Sequence, residues 1–436
     1  MKTLLKIWLL VVALYGAGVA SMMFAIWPAP AIVELYQYVA DNRWETRNLR
    51  ERVANDMGRT PYRLLTRDAG GAPTGAGFVP LEIAGLRERR QSPHIFIAPE
   101  RQKQLTFIYG VFDFTDGLHG AILIDEDGKV AHRWTLSENP DLLESKPNIR
   151  LYPHGVHVDP DGAVTFIFDF GTSVNKVDAC GKYIWSNPAN RDHNHSIAAD
   201  ADGSLWMPAG PPNWFDRIDP ANGEIVQSIS MGDIIAANPD LGIFSARSEH
   251  YAEGRKWLGD PFHVNDVEPL LPEMAAAFPM FNAGDLLVSF RALNLIFVFD
   301  PDDLKVKWWR QGVSQQQHDP DWMADGTIMI FDNRWDNPPS KLIRIDPATN
   351  RVTTVLDGAD YDFFTINRGK AQAFEGDLMV TSSKQGRVFE VDETGRVVFE
   401  FVNTYDDQKG LRALVSEAIA LPVDYFEEFP SCNQES

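Results

Sequence analysis

Cysteine is scarce: Cys180 and Cys432 are the only two in 436 residues. That excludes a CxxC redox or zinc pair and a disulfide-dense scaffold. Their wide separation fits either a bond tying the C-terminal tail to the body or two free thiols. Basic charge is also short, with 40 Lys and Arg against 61 Asp and Glu and a net charge of −21. Broad nucleic-acid binding is thereby excluded and attraction to anionic lipid is weak, so an anionic substrate must meet local positive charge. The chain has no phosphate-cradling glycine loop, no GxSxG elbow and no HExxH pair. Nothing points to a bound nucleotide or a serine nucleophile, and no cofactor is expected.

Charge is absent altogether from Ile7 to Val33, and the apolar part, Ile7 to Trp27, is long enough to span a bilayer at about 20 residues. A cleaved signal has a shorter apolar region, so an uncleaved anchor over 1–30 is expected. Lys2 and Lys6 place the N-terminus inside, which puts the body on the periplasmic side of the inner membrane, single-pass. Arg43, Arg47, Arg50 and Arg52 weigh the other way, accompanied by Asp41, Glu45 and Glu51. Helical periodicity over 31–58 and a Gly-, Pro- and Arg-rich stretch to Pro99 make 31–105 a juxtamembrane helix and linker.

What the chain does have is a histidine returning at one place in a repeat. His154, His195 and His318 each stand eight residues before a turn glycine, Gly162, Gly203 and Gly326, with an apolar strand after it. His263 and Gly284 form a fourth copy stretched by an insertion. A second signature is an apolar strand, Asp, a turn and another strand, starting at Asp125, Asp178, Asp219, Asp300, Asp346 and Asp392. Its turns carry Gly128, Gly181, Gly223 and Gly395, or Asn350, residues that tolerate positive φ in a hairpin. The aspartate can satisfy backbone donors of the same turn.

Together the two signatures define an all-β, six-bladed β-propeller over 106–408, with a degenerate seventh blade as the other count. The long interval from Gly203 to Gly284 reads as loops at 230–262 and 270–282. The remainder, 409–436, reads as a C-terminal cap with a short helical run over Leu411 to Leu421.

In a radial repeat, equivalent positions share one radius and height, so the four imidazoles converge on the axis. A single inner-strand histidine is more often structural. Four at one position are costly to bury and give the fold little, so they read as a functional cluster. Seven residues after each turn glycine come Asp169, Arg291, Asn333 and Ser383, with Gly210 in one copy. Asn265 projects from the same strand face as His263. An arginine fork, an amide and several imidazoles suit a small tetrahedral oxyanion. Without a nucleotide donor, transfer of such a group needs a protein nucleophile, and histidine can serve.

The block Gln317-His318-Asp319 … Gly326 … Phe331-Asp332-Asn333 resembles the bacterial arylsulfotransferase (aryl-sulfate sulfotransferase) family. So do His263-Val264-Asn265-Asp266, the Ser289-Phe290-Arg291 strand end and the run from Gly386 to Glu400. The resemblance spans about 106–405. It implies a six-bladed propeller that moves a sulfo group from an aryl sulfate donor to a phenolic acceptor without a nucleotide. It implies His318 as the transiently sulfated nucleophile, with His263, Asn265 and Arg291 on the sulfo oxygens and His195 or His154 assisting. Asn333 and Asp169 complete the expected substrate-binding set. The family's closely spaced disulfide is missing here.

Two other readings stay open. Four histidines around an axis could ligate iron in an oxygenase-type propeller, although Arg291 beside a divalent metal argues against it. A non-catalytic interaction scaffold is the third reading. A quinone-cofactor dehydrogenase is disfavoured because adjacent cysteines are missing.

Overall fold

The computed structural model describes residues 77–86, 91–142, 151–169, 171, 173–188, 191–210, 213–245, 248–251, 254–257, 260–406 and 411–432. The expected membrane anchor, the juxtamembrane helix and most of the linker lie outside these. Among the described residues no helix is long and apolar enough to cross a membrane.

Six four-stranded antiparallel units form the ring, as the two repeat signatures require. Blade 2 runs through Tyr152–Val158, Val164–Asp169, Ser173–Val177 and Tyr183–Pro188. Blade 3 runs from Ala198–Ala199 to Ile225–Ser230, and blade 4 from Val264–Pro269 to Val306–Gln311. Blade 5 spans His318–Trp322 to Val352–Asp357, and blade 6 spans Lys370–Phe374 to Val397–Val402. No seventh sheet of this kind appears among the described residues. The long interval before blade 4 instead carries the helix Met231–Ala237 and the small hairpin Ser248–Tyr251 with Gly254–Trp257.

The outer turns form as their composition dictates. Oδ1 of Asp125 accepts the backbone N–H of Asp127 at 3.0 Å and of Lys129 at 2.8 Å, and Asp178 and Asp392 repeat the pattern. Gly395 and Asn350 take φ of 82° and 61°, values that leave little choice of residue.

Blade 1 corrects the reading of the C-terminus. Val415–Leu421 is a strand, not a helix, and it is the innermost strand of a sheet continued by Leu105–Val111, His119–Ile124 and Val130–Leu136. Leu105 faces Leu421 and Ile108 faces Ala418 across the ladder, so the two ends of the propeller close the ring. Ala, Glu and Leu there favour helix locally, but an unpaired ladder edge at the hub overrides that preference. The propeller also starts earlier than expected, because His94–Ile97 pairs with Val397–Val402 on the outside of blade 6.

Apolar layers between blades hold the ring rigid. Phe107, Trp134, Phe166 and Phe168 fill the blade 1–2 interface, with Phe107 and Trp134 edge to face at 5.4 Å. Cys180 and Cys432 are bonded, with Cα atoms 5.4 Å apart, which fixes the tail to the outer turn of blade 2.

Candidate active site at the propeller hub

The four repeat histidines meet. His195 sits in the middle, its ring centroid 4.2 Å from His154, 5.0 Å from His263 and 6.2 Å from His318. Each begins, lies in or just precedes an innermost strand, and the local backbone is irregular where it does so. The ladder shifts register between Pro153 and Val156, between Val264 and Asp266, and between His318 and Asp321. His195 and His263 take φ of 73° and 50°. Bulges of this kind re-aim side chains, here into the hub.

Hydrogen bonds fix the proton on three rings. Asn333 is fully buried and spends both amide hydrogens on the carbonyls of Thr365 at 2.9 Å and Arg368 at 2.7 Å. Its Oδ1 therefore accepts Nδ1–H of His318 at 2.7 Å, and the His318 lone pair is on Nε2. That lone pair accepts the backbone N–H of Arg368 at 3.1 Å. His263 accepts Nη1–H of Arg291 on Nε2 at 3.0 Å, so its Nδ1–H goes to Asp260, 2.8 Å away. His154 donates Nδ1–H to Asp169. His195 is different: its buried Nδ1 has no hydrogen-bond partner.

Burial pushes the His154 imidazole down to about 4, with the nearby Arg368 guanidinium adding to the effect. Burial, then the neighbouring imidazoles, holds His195 well below the usual histidine range. Burial and Arg291 do the same to His318. All three rings are neutral at pH 7 and carry a lone pair. Burial works to raise the Asp169 carboxyl, but His154 and Arg368 outweigh it and hold it below the usual carboxylate range.

Two residues expected to bind substrate have other work. Asn333 is enclosed and holds His318; Asp169 holds His154 and pairs with Arg368. Both position imidazoles. Asn265 reaches Gln317 of the next blade, donating Nδ2–H to its carbonyl at 2.7 Å, which fixes the amide's orientation. Arg291 is held flat by Oε1 of Gln316, 3.0 Å from Nη2 and 3.2 Å from Nε, with Trp335 5.6 Å away. Gln317 and Asp319, flanking His318, are staples. Gln317 donates to Ser289 and Phe290, and Asp319 accepts from Ala371 at 2.6 Å and pairs with Lys370 at 2.7 Å.

Arg368, Asp260, Gln316 and Lys370 were not singled out in the sequence. Arg368 was discoverable, since it stands eight residues before the turn glycine Gly376, the place histidine takes in the other copies. The others carry no repeat signal.

Beside the imidazoles, the inner strands of blades 1, 4, 5 and 6 bring Glu417, Asp266, Glu268, Asp319 and Asp321 around Lys370. Burial raises Asp266 to about 6 and Glu417 to about 7, and burial with neighbouring carboxylates pushes Glu268 and Asp321 well up. Burial disfavours the Lys370 ammonium, but Asp319, Glu417 and Asp266 more than reverse this. Lys370→Met should therefore destabilise the fold by about 3–5 kcal/mol, the cost of stranding a buried partner. Urea titration should show a larger loss at pH 8 than at pH 5, where Asp266 and Glu417 hold protons.

Among the described residues no three His, Cys, Asp or Glu are arranged to hold a metal ion. The donors Arg291 and Arg368 N–H occupy the Nε2 atoms of His263 and His318 that a metal would need.

The arylsulfotransferase (ASST) family model matches residues 155–404. No curated protein matches the chain. Among solved structures, a protein of unknown function from Bacteroides caccae is 11% identical, over 73% of this chain and 99% of that one, with a TM-score of 0.46. A catalytically inactive virginiamycin B lyase from Staphylococcus aureus, with quinupristin, is 13% identical over 76% and 89%, with a TM-score of 0.41. The matched span takes in His195, His263, Arg291, His318 and Arg368, and covers more than half of the sequence: the chain belongs to the arylsulfotransferase family.

Proposed function

We propose that this sulfotransferase moves a sulfo group from an aryl sulfate to a phenol through a sulfohistidine on His318, without a nucleotide. Family membership supports sulfotransfer between small molecules. The observation that carries the finer reading is the His318 ring itself: buried, neutral, and fixed by Asn333 as the tautomer with its lone pair on Nε2.

In the first step the Nε2 lone pair attacks sulfur as the S–O bond breaks and the aryl oxide leaves with its electron pair. Nε2 gives up its hydrogen bond from Arg368 N–H to do so. Charge spreads over three sulfo oxygens in a loose transition state, so catalysis is mostly positioning and preorganised charge. Arg291 meets that charge, with His263 and Gln316 fixing its plane. Asn265 stands beside it, and Trp335 offers an aromatic face to the aryl ring. In the second step a phenol oxygen takes the group from His318.

A second reading has one observation in its favour. His195 is central and its Nδ1 is unpartnered, so it could accept the sulfo group in place of His318. Mapping the sulfated peptide separates the two.

The disulfide and the apolar N-terminus together favour an exported, membrane-anchored enzyme with its propeller in an oxidising compartment. The test of the activity is release of 4-nitrophenolate from 4-nitrophenyl sulfate, without nucleotide, and its stimulation by added phenol. Because transfer needs neutral imidazoles, kcat/KM should persist as pH falls through 6.5 and be lost toward about 4, where His154 takes its proton. A pH–rate profile with its acid limb at an ordinary histidine value contradicts this assignment.

A further inference from the structure

Arg368 occupies the histidine position of blade 6, and its guanidinium is spent on blades 1 and 2. It is 7% exposed and takes φ of 62°, an uncommon conformation for a long side chain. Its backbone N–H lies on Nε2 of His318, and its carbonyl accepts from Asn333. The guanidinium crosses the hub to blade 2. Nη2 pairs with Oδ2 of Asp169, and Nη1 donates to the carbonyl of Pro153 and to Oγ of Ser416. Asp169 uses its other oxygen, Oδ1, to accept Nδ1–H of His154. Ser416 donates Oγ–H to the His154 carbonyl at 2.6 Å. One residue thus anchors two hub histidines, one through its main chain and one through its side chain.

Two hub histidines donate Nδ1–H to a carboxylate, His154 to Asp169 and His263 to Asp260, but Nε2 of His263 is already taken by Arg291. His318 is held by a neutral amide, and His195 by nothing at Nδ1. Only at His154 is the carboxylate on Nδ1, that of the half-buried Asp169, itself clamped by a guanidinium. A carboxylate in that place fixes the tautomer, leaves the lone pair on Nε2 and stabilises the imidazolium that forms when Nε2 takes a proton. The clamp keeps Asp169 from turning toward another partner.

Resting on the sulfotransfer reading, we propose that His154 is the base for the acceptor phenol and that Arg368 is its positioning residue, acting through Asp169. As the phenol oxygen bonds to sulfur, the S–N bond breaks and its electron pair returns to Nε2 of His318. The phenolic proton passes to Nε2 of His154, which later delivers it to the departed aryl oxide or to water. The backbone N–H of Arg368 then takes up the lone pair restored to His318.

Two measurements test this. The first separates the half-reactions in Arg368→Gln, Arg368→Lys and wild type: the nitrophenolate burst without acceptor, and discharge of the sulfated enzyme by phenols. Arg368→Gln should slow discharge by roughly 10²-fold or more, most for the least acidic phenols, with a smaller effect on the burst. Arg368→Lys should recover part of the loss. Equal losses in both half-reactions would mean a merely structural residue and overturn the proposal.

The second measurement needs no substrate. It follows the His154 ring by ¹³C NMR titration, assigned with His154→Gln. Asp169, Arg368, Lys370, His195, His318 and Tyr109 are the titratable or charged groups that act on this ring. Its titration should move up in Arg368→Gln and down in Asp169→Asn. An unmoved ring in both variants overturns the clamp. A moved ring in a protein that gives no burst leaves the clamp standing and rejects the sulfotransfer reading instead.

Discussion

Replacing His318 by asparagine is expected to abolish turnover and the covalent adduct together. Asparagine keeps a polar side chain near Asn333 and Arg368 N–H, so the hub loses its lone-pair nitrogen with little change in volume. The ring is buried among His154, His195 and His263, and its tautomer is set by a buried amide with no freedom to flip. No neighbouring group replaces an Nε2 lone pair so oriented. A variant that still forms the adduct would move the nucleophile to His195. A variant that still turns over without an adduct would mean direct transfer between donor and acceptor. Both outcomes are readable from one burst experiment with mass detection.

The second large effect belongs to Arg291. Truncation to alanine should lower kcat by about 10²–10³, or about 2.7–4 kcal/mol, if the guanidinium meets charge developing on the sulfo oxygens. The net charge of −21 makes this residue matter more, since the protein's overall field repels an anionic donor. Arg291→Lys should recover little, because an ammonium cannot reproduce a planar fork held by Gln316 and His263. Measuring kcat and KM separately tells whether Arg291 binds the ground state or the transition state. A rise in KM with kcat unchanged would mark uniform binding and remove it from the catalytic set.

Much of this arrangement can be read from residue spacing. The eight-residue step from histidine to turn glycine works because the hairpin turn demands positive φ, met at Gly162, Gly203 and Gly326, and the same number of residues carries the chain from the hub to that turn. The same logic gives the partners seven residues after the glycine. Asp169, Arg291 and Asn333 each touch the histidine of their own blade. What spacing does not reveal is the direction of those contacts. Asn333 and Asp169 look like ligand groups in the sequence and turn out to hold imidazoles, because burial and neighbouring carbonyls decide where an amide or a carboxylate points.

Other misses have their own causes. Arg368 escapes a search for histidine although its spacing is correct. Asp260 and Gln316 reach the site from irregular segments next to His263 and His318, where no period exists. The closing strand Val415–Leu421 mixes the helix formers Glu417, Ala418, Ala420 and Leu421 with Val415 and Ile419, and it becomes a strand because the distant Leu105–Val111 leaves a ladder edge open to it. Nonlocal pairing of that kind leaves no local trace.

The most direct test is to incubate the protein with 4-nitrophenyl sulfate in the absence of acceptor and measure its intact mass, then map the modified peptide. Gain of one SO3 on the peptide bearing His318, discharged when phenol is added, is the predicted result. An unchanged mass while nitrophenolate is released, or a sulfo group carried on a residue outside the hub, would contradict it.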